Sequence, residues 1–251
     1  MGGLSVHRRH RGLAFAVLGA GLMTTCVEAA DKSSRKDPPI DRNIIYASVD
    51  IASMSTFLSL GWRYAIDGGI DDDGWIFSVG LVGGHCQYET SNVIGGTVHG
   101  AVGIDDVAIG RQWIGPKSGG AVLVGLANEF HKLYPYDPGN RASGSHFGGR
   151  LQIEGWVKPA PRFFVAGAAV LSSANYSYGL FLRAGYRVTG DIEIGPRFAA
   201  YGNRDYEEVR IGLGVEGIRF RKAVFGVAAG GSFTDDDRSG LYARVTSYRK
   251  F

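Results

Sequence analysis

The residues best suited to chemistry are four histidines, His85, His99, His131 and His146, with the serine and carboxylates near them. Hydrolysis through a covalent intermediate needs a nucleophile, a base and an acid that orients the base, all within reach. One local set has those types: Ser145 and His146, together with Glu129 and His131, on either side of segment 134–144. A polar rim in contact with water accounts for the same residues. The chain has no G-x-S-x-G elbow, and its histidines lack the i, i+4 spacing of a zinc-binding helix. Aspartate runs at 71–73 and 235–237 are rich in oxygen but lack the spacing of a dedicated calcium loop, so they read as solvated turns. The pairs Gly83-Gly84, Gly95-Gly96 and Gly148-Gly149 are not followed by a helix that could cap a phosphate, and they fit strand bends and turns. The expectation is a chain that is not an enzyme, with no catalytic, cofactor-binding or metal-binding residues.

The elements that carry these residues are strands. From residue 44 onward the chain alternates apolar with polar or very small side chains in segments of about ten to fifteen residues, the dyad pattern of a transmembrane strand. In 176–188, Tyr176, Tyr178, Leu180, Leu182, Ala184, Tyr186 and Val188 share one face. Ser177, Gly179, Phe181, Arg183, Gly185 and Arg187 share the other. Segments 58–66, 191–201 and 209–217 repeat the pattern. Twelve strands are expected, at 44–53, 55–66, 74–88, 96–113, 119–133, 145–158, 162–173, 176–189, 191–201, 206–219, 222–233 and 238–250. An even number places both chain ends on one side. Short links at 115–118, 158–161, 189–191 and 220–221 then fall on that side, and the longest link, 134–144, falls on the other. The links near Met54 and at 67–73 break this sorting.

This alternation predicts an all-β fold, an antiparallel outer-membrane β-barrel of about twelve strands over 44–251. Arg63, Arg150, Glu154, Arg183, Arg187, Glu193, Arg197, Arg210, Glu216 and Arg244 are expected to face its interior. Charges of both signs there could pair into a plug or line a wet passage. Trp156, Tyr176, Tyr178 and Tyr201 lie near strand ends, where aromatics form the interfacial girdle, although they could also stack on sugar rings.

The first 29 residues read as a signal peptide: basic residues at 7–11, an apolar run over 13–23, and small residues at the cleavage point. That run is too short to span a bilayer. Segment 30–43 reads as a flexible periplasmic lead-in. Without the signal, 24 basic residues face 23 acidic ones, which gives no electrostatic case for nucleic acid. Only Cys86 would then remain, so no internal disulfide can form, and this thiol reads as a small buried apolar group. Glycine, at 39 of 251 residues, is well above the usual share of about 7% and suits a sheet that must bend and close. The chain ends on Phe251 after a strand-like segment, a terminal aromatic that resembles the assembly signal of outer-membrane barrels.

Several pieces in order resemble the cellulose biosynthesis protein BcsS family of alphaproteobacteria. They are Gly-Trp-Arg-Tyr at 61–64, the acidic-glycine turn at 67–74, Tyr136-Asp137-Pro138-Gly139-Asn140 with Gly144-Ser145-His146-Phe147-Gly148, Gly202-Asn203-Arg204-Asp205-Tyr206 leading to Val209-Arg210-Ile211-Gly212, and Ser239-Gly240-Leu241-Tyr242-Ala243. The resemblance implies an accessory of bacterial cellulose (exopolysaccharide) biosynthesis, export or surface organisation in a Gram-negative cell outer membrane. Its implied partners are outer-membrane lipid, with cellulose or other glycan chains and cellulose synthase complex components. It implies no catalytic residues. The alternatives are a general porin and an outer-membrane enzyme acting on lipid or glycan at the barrel rim.

Overall fold

The computed structural model describes residues 40–234 and 238–251. The signal-peptide reading of 1–29, most of the 30–43 lead-in and the aspartates at 235–237 lie outside the described residues.

Twelve strands follow in chain order: β1 (Asn43–Ala52), β2 (Ser55–Ala65), β3 (Gly74–Glu89), β4 (Thr97–Ile114), β5 (Ser118–Tyr134), β6 (Gly144–Ala160), β7 (Phe163–Ser172), β8 (Ser177–Thr189), β9 (Ile192–Asn203), β10 (Tyr206–Phe220), β11 (Ala223–Thr234) and β12 (Ser239–Lys250). The bounds agree with those expected from the alternation to within two residues. A single 3₁₀ turn, Ala174–Tyr176, joins β7 to β8. Each strand pairs antiparallel with its neighbours in sequence, and β12 returns to β1, so the sheet has no free edge. At the seam Val49 pairs with Val245, and the backbones of Asn43 and Phe251 exchange two hydrogen bonds of 3.0 Å. The terminal phenylalanine therefore sits in register beside the first strand.

The alternation decides what each face meets. Outward positions carry a belt of exposed aliphatics, with Leu60, Leu126, Leu182 and Leu213 as examples. Below the belt, at the end that holds both chain termini, stand Trp75, Trp113, Phe163, Tyr186 and Phe220. Above it stand Phe147, Tyr176 and Phe233, and Phe130 and Tyr134 continue up the outer face of the taller β5. A continuous apolar belt of this size would drive aggregation in water, whereas two aromatic girdles around an aliphatic band match a bilayer. Trp156 and Tyr201 belong to neither girdle: they are buried inside the barrel, which corrects the girdle reading for both.

The strands differ in length. β3 to β6 run to 16, 18, 17 and 17 residues, more than the roughly 9–11 that cross a bilayer. On their outer face the apolar belt stops at Leu81, Val107 and Leu126. Beyond it Asn128 Nδ2 donates to Asp105 Oδ1 at 3.1 Å, and the rings of His85 and His99 stack at 6.0 Å. This side of the barrel rises past the lipid at the long-loop end.

Candidate functional site in the barrel lumen

Ser145, His146, Glu129 and His131, the one local set with the residue types of a hydrolytic relay, are not brought together as one. Glu129 and His146 are direct partners across β5 and β6 and both face inward, as does His131. Ser145 pairs with Phe130 on the opposite face, outside the barrel. His146 Nε2 lies 3.1 Å from the Ala142 carbonyl, and Glu129 is bound by a hydroxyl that the sequence did not suggest: Ser177 Oγ donates to Glu129 Oε1. His131 Nε2 stands 3.8 Å from the other carboxylate oxygen. With the serine proton held by the carboxylate and not by a histidine, the order of a nucleophile, base and acid relay is not present in this cluster.

The acidic turn at 71–73 works as a fastener. Asp72 Oδ2 accepts the Gly69 amide at 2.9 Å, Asp73 Oδ1 accepts the Ile114 amide at 2.5 Å, and Asp71 meets Lys250 Nζ at 2.7 Å. From inside, Gln112 Nε2 donates to the carbonyls of Ile70 and Asp72 at 3.1 and 2.7 Å. Ile70 is thereby buried against Ile44 and Ala65, so this link folds over part of the terminal mouth. Among the described residues no group of histidine, cysteine and carboxylate side chains is placed to hold a metal ion.

All ten charged residues expected in the lumen face it, and they fall into two regions. On the β2–β6 side, Arg63 forms a two-pronged bond with Glu154, at 2.5 and 3.2 Å. Gln152 Nε2 donates to Glu154 at 3.1 Å, Arg150 donates to Gln152 at 3.3 Å, and Arg150 Nε lies 3.4 Å from Asp106. Two cations thus meet two carboxylates. Around them Ile76, Ala108, Ala121 and Leu123 pack as a dry cluster. A second apolar cluster, led by Phe57, Tyr88 and Val102, reaches across to Tyr201 and Tyr206 on the far wall at the long-loop end. Cys86 lies within it, 1% exposed, as expected of a small apolar group.

The long loop seals this cluster from above. Asp137 is fully buried; its carboxylate accepts Tyr88 Oη at 3.0 Å, Asn92 Nδ2 at 3.1 Å and the Gly139 amide at 2.9 Å. Asn140 Nδ2 donates to Tyr88 Oη at 3.0 Å. The Tyr136-to-Asn140 segment is therefore a latch across the mouth.

On the β7–β12 side, with β1, the lumen holds a cavity of about 1470 Å³ including its opening to solvent. Lys158, Asp191, Arg219 and Tyr248 line it near the terminal turns, so it opens at the end with the chain termini. Its floor is Phe57 and Tyr201, which belong to the apolar cluster. Above that floor Arg210 joins Asp50 on β1 and Glu208 on its own strand, the latter at 2.7 Å, and Tyr206 Oη donates to Glu208. Tyr201 and Tyr242 flank the guanidinium, their ring centres 5.0 and 5.2 Å away. Beyond this layer lies a smaller recess at the long-loop end, about 410 Å³ including its opening to solvent, which shares no lining residue with the main cavity. The layer around Arg210 stands between the two, with Arg210 facing the main cavity and Glu208 the smaller recess.

Glycines keep the cavity open. A Cβ at Gly214 would lie 2.0 Å from Arg197 Nε, and one at Gly226 would lie 2.2 Å from a Glu216 oxygen. Without those atoms Arg197 and Glu216, which are ion-paired, lie flat along the wall and do not project into the lumen. Parity could have revealed Trp156 and Tyr201 as inward residues, since they alternate in phase with Glu154 and Arg197. It also marks Asp50 and Tyr242, which the sequence reading passed over.

A family model for the cellulose biosynthesis protein BcsS matches residues 44–251. The chain belongs to the BcsS family. The match takes in all twelve strands, from Ile44 in β1 onward. No functionally curated protein matches this BcsS-family chain in sequence. Among solved structures it is similar to the β domain of the Bordetella autotransporter BrkA (12% identity, 84% of this chain and 100% of that one, TM-score 0.50) and to the KdgM porin (10%, 83% and 99%, TM-score 0.44). The transport unit of the Escherichia coli autotransporter AIDA-I gives 8%, 90% and 95%, with a TM-score of 0.49. At these identities the likeness is one of fold. The fold and family together make this BcsS-family chain an outer-membrane β-barrel connected with cellulose biosynthesis.

Proposed function

We propose that this chain is a non-enzymatic accessory of the outer membrane, assisting the export or surface organisation of bacterial cellulose, with its long loops outside and its termini in the periplasm. Membership of the BcsS family carries the cellulose part of this reading. The divided lumen supports a docking or organising role over that of a general pore, because a layer of buried ion pairs stands between the two recesses. The outward position of Ser145 supports the absence of covalent chemistry at the rim. Components of the cellulose synthase complex would meet the barrel at its terminal end, and an emerging glucan would meet it at the long-loop rim.

The direct test is deletion of the coding region in its own host, with cell-surface cellulose measured by dye retention and by acid-insoluble glucose. Loss or misplacement of cellulose, restored by the wild-type chain, supports the reading. Unchanged secretion and surface cellulose would overturn it. The double substitution Ser145→Ala with His146→Ala should restore cellulose as fully as the wild type, and failure of a correctly folded double variant would favour a rim enzyme.

A further inference from the structure

We propose that the terminal-side cavity is a binding site for an anionic saccharide, one that bears a carboxylate or phosphate and approaches from the side of the chain termini. The inference stands apart from the cellulose reading, since cellulose itself is neutral.

The first support is charge. Seven cationic side chains line the cavity, Lys158 and six arginines, against four carboxylates. The carboxylates are already engaged. Glu193 serves both Arg187 at 3.5 Å and Arg183 at 4.0 Å, Glu216 holds Arg197, Asp191 holds Arg219, and Asp50 holds Arg210. Lys158 and Arg244 have no carboxylate within ion-pair distance among the described residues. Their neighbours are ring faces, Trp156 at 5.3 Å and Phe181 at 5.9 Å.

The second support is placement. Arg183 and Arg197 stand directly opposite one another across β8 and β9, an arrangement of like charges that is unfavourable on its own. Arg197 also meets the like charge of Arg244 on β12. The Nε atoms of Arg187, Arg197 and Arg244, on three different strands, are buried without a hydrogen-bond partner. Buried donors of this kind normally find an acceptor. An anion between β8, β9 and β12 would satisfy them and offset the excess positive charge, and guanidinium groups suit both carboxylate and phosphate.

The third support is the ring faces. Phe181 and Tyr248 line the same cavity and are part-exposed, whereas Tyr201 and Tyr242 are buried against Arg210. Flat apolar faces beside polar donors are what a pyranose ring stacks on, which points to a sugar carrying the anionic group and not to a bare ion.

Isothermal titration calorimetry on the full barrel in detergent tests this with four probes: a uronate trimer, glucose 6-phosphate, cellotetraose and inorganic phosphate. Expected is binding of at least one of the two anionic saccharides, weakened by added salt, with cellotetraose inert and inorganic phosphate weaker. Which of the two binds distinguishes carboxylate from phosphate. Arg244→Gln should weaken that binding about tenfold, the loss of one charge-assisted contact. Lys158→Gln, at the mouth, is a second variant in case the first fails to fold, as judged by heat-modifiable gel mobility, and should also weaken it. Cellotetraose binding as tightly as the anionic sugars, inorganic phosphate matching them, or no heat from either at about 1 mM would overturn the proposal. So would binding indifferent to both substitutions in folded protein.

Discussion

The two sides of the lumen are built from the same alternating pattern and end up with opposite interiors. On the β2–β6 side the inward positions between the charges hold large apolar groups such as Ile76, Leu123 and Val102, and the charges are matched, Arg63 and Arg150 against Glu154 and Asp106. On the β7–β12 side several inward positions beside the charges are glycine or alanine, as at Gly214, Gly226 and Ala228, and among the residues lining the cavity the cations outnumber the carboxylates. Side-chain volume decides whether the space fills, and charge balance decides whether what remains is inert. A barrel of twelve strands is wide enough for both outcomes at once.

Substitutions can break this contrast. Arg210→Ala should have the largest effect, because it leaves Asp50 and Glu208 facing each other without a cation; about 3–5 kcal/mol of stability should be lost, read as the urea midpoint of folding in lipid vesicles. Leu213→Arg, at the centre of the lipid belt on β10, should cost about 2–4 kcal/mol in the same assay while leaving detergent binding of ligands unchanged. Tyr88→Phe removes the hydroxyl that joins Asp137 and Asn140. A loss of about 1–3 kcal/mol is expected, with faster proteolytic cutting within 135–143. Arg244→Gln should have the smallest effect, within about 0.5 kcal/mol of wild type, since this arginine has no carboxylate to abandon. If Arg244→Gln destabilised the barrel as much as Arg210→Ala, the difference between the two sides would be lost.

The strands were legible because a period of two needs only local residues, and the same parity assigned all ten lumen charges. Pairing across the lumen was not legible. Arg63 and Glu154 are 91 residues apart, and Arg210 and Asp50 are 160 apart. Which of them meet depends on barrel closure and stagger, set by all twelve registers together. The candidate catalytic set failed for a local reason: Ser145 and His146 are adjacent in one strand and so must point to opposite faces. Ser177 could not be found as the partner of Glu129, because the 3₁₀ turn that delivers it has no clear pattern of its own. The latch at Tyr136-to-Asn140 was visible as a motif, although its role depends on Tyr88 from a distant strand.

The most direct test of the divided lumen is electrical. Wild-type barrel reconstituted in a planar lipid bilayer should show no sustained single-channel conductance, because the Arg210 layer separates the terminal cavity from the long-loop recess. The double substitution Arg210→Ala with Asp50→Ala, which removes the cation and one of its two carboxylates from that layer, should produce stepwise opening. Sustained conductance from the wild-type barrel would contradict the account and favour a general pore.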